Sequence, residues 1–343
     1  MPRIDAFLQL GREQNCSDIH LAVGTPPLLR HNGDLSPIKY RDLSEQEINQ
    51  LIDEILTDEH RVMLKENHNI DFSYTSESAG RFRVSLFEKV GGLGAAFRVI
   101  PPNIPSIEDL GLPNVVQDQL VNGHGMILVT GATGTGKSTT LAAMIDYLNQ
   151  NQRLNIITLE DPVEFIHKSA KSLVIQREVG THVASFKDGL HAALREDPDV
   201  ILVGELRDPE TIAIAMTAAE TGHLVLGTLH TTSASKTLDR IIDAMPTEQK
   251  TQAASFLAQQ LRLVISQKLV KSADNRTRKA IIEVFVNTPA ISNLIIHGKI
   301  FQIPSVLQTG KELGMQLMDQ ALMEALNKKE IDPDDAYLHA NDK

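Results

Sequence analysis

The sequence predicts an α/β protein: a nucleotide-binding domain on a mainly parallel sheet, preceded by a small α+β domain and followed by a helical carboxyl-terminal region. Three observations carry this expectation. Gly131-Ala132-Thr133-Gly134-Thr135-Gly136-Lys137-Ser138-Thr139 matches the phosphate-loop pattern G-x-x-x-x-G-K-[ST] without a mismatch. Beyond it, apolar runs of strand length alternate with stretches of helical period, the pattern of a parallel sheet covered by helices on both faces. Before it, Ile100-Pro101-Pro102-Asn103-Ile104-Pro105 places three prolines in five positions, a stiff extended connector. The expected division is residues 1–100, a connector over 101–112, and a nucleotide domain over 113–343 whose helical segment starts at about 247.

Bulk properties narrow the classes. A length of 343 residues suits about two domains. With 42% hydrophobic and 22% charged residues the composition is that of an ordinary globular chain. A formal charge of −11, and no stretch mixing aromatic and basic residues, argue against nucleic acid as a partner. The single cysteine, Cys16, excludes an intramolecular disulfide and a thiolate zinc cluster, so a reducing cytosol is the expected home. No apolar run approaches the ~20 residues that span a bilayer, and Met1-Pro2-Arg3-Ile4-Asp5 lacks a signal-peptide apolar region. Any membrane association is therefore expected through a partner rather than by insertion.

In chain order, Ile4, Phe7, Leu8 and Leu10 fall at helical spacing and predict an opening helix. Two strands follow, at 17–21 and over 25–35, with a turn at Asn32-Gly33. Asp18 and His20 lie two apart on one strand face, where a surface hydrogen bond is a simpler reading than a metal pair lacking a third ligand. Ser44 three residues before Glu47 is a capping box opening a helix to Ile55 or Leu56; a second helix covers Asp58 to Glu66. Residues 81–100 alternate polar and apolar around Gly91-Gly92, which reads as a hairpin with a two-residue turn. In that register Val90 faces Leu93 and Ser85 faces Arg98. Phe82, Val84, Leu86, Phe97 and Val99 share one face; Arg81, Arg83 and Arg98 share the other, with no acid in the hairpin opposite them. A solvated polar face and an anion-binding face are both open readings, the guanidinium fork being well suited to phosphate.

The phosphate loop has the context it needs: the apolar run 126–129 reads as a buried strand and 141–145 as a helix face. Its glycines let backbone N–H groups turn inward around phosphate oxygens at the positive end of the following helix. Lys137 reaches the β- and γ-phosphates and the Ser138 hydroxyl holds Mg²⁺, so the chain is expected to bind a nucleoside triphosphate with Mg²⁺. Further strands are read at 155–159, 200–203 and 224–229, with helices at 186–195, 209–220 and 236–245. Polar residues cluster at the carboxyl ends of the strands, where such sheets bind ligands. There lie Glu160, Asp161 and Glu164 after one strand, Gly204 and Glu205 after the next, and His230 after the third. Glu205 has two candidate roles, polarising the attacking water and ordering Mg²⁺ through water; a third reading is a helix cap. Glu160, Asp161 and Glu164 suit organisation of water and Mg²⁺. His223 and His230 sit seven apart, on opposite strand faces: His223 reads as a satisfied core histidine and His230 as a γ-phosphate sensor. From 247 to 267 the pattern is one long amphipathic helical segment, then a strand pair at 269–270 and 280–286, helices at 290–296 and 315–326, and a polar frayed tail over 332–343.

The segments 131–139, 157–165, 194–208 and 221–231 resemble, in order, the Walker A, Asp box, Walker B and His box of the secretion ATPase superfamily. Ser17-Asp18-Ile19-His20-Leu21 is similar to the short amino-terminal domain of its PilT-like branch, the type IV pilus retraction ATPases. Ala290-Ile291-Ser292-Asn293-Leu294-Ile295-Ile296-His297 resembles the retraction motif AIRNLIRE, departing at Ser292, Ile296 and His297. The resemblance implies a cytoplasmic homohexameric motor with a PAS-like amino-terminal and a RecA-like carboxyl-terminal domain, peripheral to the inner membrane. Its implied partners are an inner-membrane pilus platform protein and a second pilus ATPase. It also implies Glu205 and Glu164 at water and metal, His230 near the γ-phosphate, and arginines among Arg81, Arg83 and Arg98 approaching the phosphates. A related assembly, secretion or accessory motor and a RecA-like nucleic-acid translocase are the rival readings.

Overall fold

The computed structural model describes residues 2–31, 33–274 and 277–341. Contacts divide the chain into two compact units, Met1–Asn103 and Ile104–Lys343.

The first unit contains α1 (Asp5–Glu13), β1 (Asp18–Ala22), β2 (Leu28–His31), β3 (Asp34–Pro37), α2 (Glu45–Asp53), α3 (Asp58–Asn67), β4 (Asn69–Ser76), β5 (Gly80–Lys89) and β6 (Gly92–Ile100). Its strands form one antiparallel sheet in the order β3-β2-β1-β6-β5-β4. The second helix starts at the expected capping box: the Ser44 hydroxyl accepts from the Glu47 amide while the Glu47 carboxylate accepts from the Ser44 amide. Of the expected Asn32-Gly33 turn, Asn32 lies outside the described residues; Gly33 has φ +100°. The core joins Ile4, Leu8, Ile48 and Ile52 to the sheet residues Ile19, Leu21, Phe82, Val84, Leu86 and Phe97. Complete burial of Phe82 and Phe97 contributes roughly 1.5–3 kcal/mol for each ring.

The β5–β6 hairpin forms in a different register from the expected one. Lys89 faces Gly92, Ser85 faces Ala96 and Arg83 faces Arg98. The turn residues are Val90 and Gly91, with positive φ only at Gly91 (+86°), the demand of a type II turn. Gly92 already belongs to the strand, where a β-carbon would lie 2.9 Å from Val23 Cγ2. The offset is two residues, so every side chain keeps its expected face.

The second unit contains α4 (Val115–Val121), β7 (Gly125–Thr130), α5 (Lys137–Asn151), β8 (Asn155–Glu160), β9 (Leu173–Glu178), α6 (Phe186–Ala193), β10 (Val200–Val203), α7 (Pro209–Glu220), β11 (Leu224–Leu229) and α8 (Ala234–Ala244). It continues with α9 (Lys250–Gln260), β12 (Leu261–Lys271), β13 (Arg278–Val286), α10 (Pro289–Ile296), α11 (Ile303–Thr309), α12 (Met318–Asn327) and α13 (Pro333–His339). Ile107 and Leu112 of the proline-rich stretch are buried in this unit's core. The sheet order is β13-β12-β7-β11-β10-β8-β9, parallel throughout except for β13. The mainly parallel α/β fold with a helix-rich carboxyl-terminal part is thus present.

Several segments differ from the sequence reading, and the helices α4 and α11 are additional to it. The helix expected to run to Gln267 ends at Gln260, and Leu261–Lys271 is a strand joining β7 to β13. Leu261, Leu263, Val264 and Ile265 are fully buried there, so both faces are apolar and the period of two is erased. The edge strand β9 is additional. The tail expected to fray forms α13, with Pro333 in its first turn and Ala336 buried near Val270 and Leu322; its last two residues lie outside the described ones.

Parallel pairing aligns the strand ends. Leu229 lies beside Thr130, Val203 beside Gly227 and Val203 beside Leu159, so the loops after β7, β8, β10 and β11 leave one edge of the sheet together.

Candidate active site

The loop between β7 and α5 is shaped by backbone demands. Gly131, Gly134 and Gly136 have φ +147°, +79° and +92°, a region costly for other residues. A β-carbon at Gly131 would lie 2.5 Å from both the Gln267 backbone oxygen and Thr135 Oγ1, whereas at Gly134 and Gly136 it would meet nothing within 4 Å. The first glycine thus admits close packing; the other two provide curvature with open space before it. Gly136 caps α5 without a side-chain acceptor, which suits its first amides to an anion. Thr135 Oγ1 donates to Ala132 O (2.9 Å), and Lys137 Nζ donates to Gly131 O (2.9 Å) and Ala132 O (3.1 Å). Thr133 and Ser138 are exposed and Thr139 is half-buried.

Carboxylates from two other strand ends act on Lys137. Burial pulls its ammonium below the ordinary value, while Glu205 and then Glu164 pull it back. Glu205 Oε2 lies 2.7 Å from Arg207 Nη2 and Oε1 lies 3.3 Å from His230 Nε2. Burial opposes the charge on Glu205, but Arg207 and His230 prevail and hold its carboxyl below the usual range. Glu160 faces elsewhere: its Oε1 accepts from Thr158 Oγ1 (2.7 Å) and Gln176 Nε2 (3.1 Å). Burial, against those two donors, pushes its pKa up to about 6. Asp161 lies close enough to Arg207 to favour the guanidinium charge.

The glycine before Glu205 has a packing reason. A β-carbon on Gly204 would lie 3.1 Å from Leu159 O and 3.3 Å from Glu160 Cα, and Thr228 Oγ1 donates to Gly204 O at 2.5 Å. An aspartate there would crowd the end of β8 and require it to shift by a few tenths of an ångström. At the far end of β11, His223 Nδ1 lies 2.9 Å from Ala218 O and 3.1 Å from Thr221 Oγ1, so the histidine is satisfied as expected but is half-buried rather than in the core.

In the first unit, Arg98 Nε donates to Asp18 Oδ1 (3.1 Å), Arg83 Nη2 approaches Asp71 Oδ2 (3.9 Å) and Arg81 Nη1 donates to Thr75 Oγ1 (2.9 Å). The acids missing from the hairpin come from β1 and β4. Asp18 therefore pairs with Arg98, while His20 Nε2 is buried with no hydrogen-bond partner. Among the described residues no three His, Cys, Asp or Glu side chains form a metal cage. Arg207 and Gln176 escaped the sequence reading: Arg207 stood inside the Walker B-like segment without a role, and Gln176 lies on the unread strand β9.

A phosphate loop at a helix start, with a glutamate, a histidine and an arginine converging at the carboxyl edge of a RecA-like sheet, defines a P-loop ATPase. Residues 2–328 match the family model described as Type II/IV secretion system protein, and the chain belongs to that family as a PilT-like secretion ATPase. It is 48% identical over 314 residues to a twitching motility protein of Neisseria gonorrhoeae, covering 92% of this chain and 84% of that protein. It is also 48% identical over 319 residues to the type IV pilus retraction ATPase PilT of Pseudomonas aeruginosa, covering 93% and 92%. The crystal structure of the pilus retraction motor PilT with bound ADP superposes with a TM-score of 0.90 at 42% identity, covering 99% of this chain and 97% of that one.

Proposed function

We propose that this chain is a hexameric motor that couples ATP hydrolysis to type IV pilus retraction, acting on an inner-membrane platform protein. The observation that carries the reading is near-half identity to two pilus retraction and twitching proteins across almost the whole chain, phosphate loop included. Lys137 and the loop amides bind the phosphates, and Ser138 supplies a hydroxyl to Mg²⁺. Glu205 takes the proton of the attacking water or orders Mg²⁺ through water, with His230 set against it from the β11 side. Glu164 supports metal and water from the β8 loop, and Arg81, Arg83 and Arg98 are the guanidinium candidates for added phosphate contacts. No helix among the described residues is long and apolar enough to cross a membrane, which suits a cytoplasmic motor held at the inner membrane by its partners. The departures at Ser292, Ile296 and His297 favour a second reading, an accessory retraction motor working with a second ATPase.

A strain lacking the gene tests this, complemented with the wild type or with Lys137→Ala. Retraction restored by the wild type alone is the expected result; normal retraction in the uncomplemented strain overturns the proposal.

A further inference from the structure

Strand β12 is apolar over Leu263, Val264 and Ile265, each completely buried, and then carries two polar residues that are nearly as buried, Ser266 (0% exposed) and Gln267 (4%). A buried amide on such a strand is costly unless both ends are satisfied. Gln267 is only half satisfied: its Nε2 donates to Thr140 Oγ1 (2.8 Å), and its Oε1 has no partner. An aliphatic side chain would avoid that penalty.

The position of these residues supplies a reason. Ser266 pairs in register with Thr130, the last residue of β7, and its Oγ accepts from Thr130 Oγ1 (2.9 Å). Thr140 lies one turn into α5, and its amide donates to Gly136 O. The two side-chain bonds therefore grip the chain immediately before and immediately after the phosphate loop. Between them the Gln267 backbone oxygen sits where a β-carbon on Gly131 would come within 2.5 Å. All four hydroxyl and amide residues are buried, so water does not compete for these bonds.

We infer that Ser266 and Gln267 are positioning residues of the phosphate loop, holding the exit of β7 and the first turn of α5 at the separation that a bound diphosphate requires. The inference rests on nucleotide binding at this loop, as in the reading above. Loop amides bind an anion well only when they converge beforehand, and a brace reached from a neighbouring strand fixes that convergence.

The test uses the purified full chain, ADP affinity from fluorescence titration and steady-state ATP turnover. Gln267→Leu is expected to weaken ADP binding about tenfold and to raise the KM for ATP in proportion. It is expected to leave kcat within about twofold and thermal stability unchanged or raised. Thr140→Val, which removes the partner hydroxyl, should weaken ADP binding to a similar extent, whereas Thr140→Ser, which keeps it, should not. If Gln267→Leu does not fold, Ser266→Ala and the Thr140 pair carry the comparison. ADP affinity within twofold of the wild type in Gln267→Leu, or in both Ser266→Ala and Thr140→Val, overturns the inference, and so does equal weakening by Thr140→Val and Thr140→Ser. A wild-type chain that binds no ADP would instead refute the nucleotide reading, and the inference with it.

Discussion

Replacing Glu205 by glutamine separates chemistry from binding. The exchange keeps the size of the side chain and one acceptor oxygen but removes its charge and its capacity to take a proton. The partners that lose most are Arg207, 2.7 Å away with a side chain 65% exposed, and His230, 42% exposed. Glu205 itself is 19% exposed but both partners are open to solvent, so the pair contributes on the order of 1 kcal/mol and the fold should be little affected. Lys137 loses one of two carboxylates that favour its charge and keeps Glu164, so phosphate binding should persist. A general base typically supplies about 10²–10⁴ in rate, a barrier change of roughly 3–5 kcal/mol at 1.36 kcal/mol for each tenfold. The expected result is therefore turnover reduced at least about a hundredfold, with ADP affinity within a few-fold of the wild type. A coupled ATPase assay alongside a fluorescent-ADP titration measures both. Turnover above about a tenth of the wild-type rate would refute the base assignment. Parallel losses of turnover and ADP affinity would move Glu205 from the chemistry to the binding of nucleotide.

Gly131→Ala meets both a φ of +147° and oxygens 2.5 Å from the new carbon, so it should destabilise the fold by about 1–3 kcal/mol and abolish ADP binding, read by thermal denaturation and titration. Glu160, with a folded-state pKa of about 6 against an ordinary 4.5, holds its proton more tightly in the folded chain. Its stabilisation is complete below pH 4.5 and falls by about 2 kcal/mol as pH rises through 6; Glu160→Gln should flatten that part of the stability–pH curve. In α10, Ser292 Oγ donates to Ala258 O (2.6 Å) and Asn287 Oδ1 (3.2 Å), whereas Ile296 is 52% exposed. Ser292→Arg should thus lower the melting temperature, while Ile296→Arg with His297→Glu should leave it within a few degrees and report cleanly on retraction.

Much of this was readable from residues because the decisive strands are extreme cases. β7, β10 and β11 are buried at every position, and polar residues follow the last two, Glu205 shortly after β10 and His230 directly after β11. Short apolar runs ending in polar groups can be read without knowing their neighbours. β12 could not be: its apolar run follows a helix without a break, and only its pairing with β7 and β13 selects the extended form. β9 lies at the edge, and its apolar run is only Leu173-Val174-Ile175, with Leu173 exposed. In the hairpin, two adjacent glycines competed for the turn, and contact with Val23, distant in sequence, decided between them. The faces survived because an even offset preserves them. Arg207 and Gln176 were illegible for a related reason: what each does is set by where a loop or an edge strand returns, and neither is a local property.

The acids of the 160–164 segment read in sequence as one cluster, and the fold divides them. Glu160 turns toward Thr158 and Gln176 and is held partly protonated near pH 6, which makes it a weak partner for a metal ion. Asp161 faces Arg207, and Glu164 acts with Glu205 on Lys137. Two cations, Lys137 and Arg207, thus stand among three acids, Asp161, Glu164 and Glu205, so the side chains around the loop carry no net positive charge. A triphosphate entering such a place gains from converging amides and one lysine, and is opposed by the carboxylates. Further positive charge is required before the anion is matched. Mg²⁺, in the proposed mechanism, would supply part of it, since it satisfies phosphate and carboxylate oxygens at once. In the proposed mechanism, guanidinium groups would supply the rest without adding a base that competes with Glu205, because an arginine does not lose its proton near neutral pH. On the proposed roles, the same acids that would order water for attack would create the need for arginines.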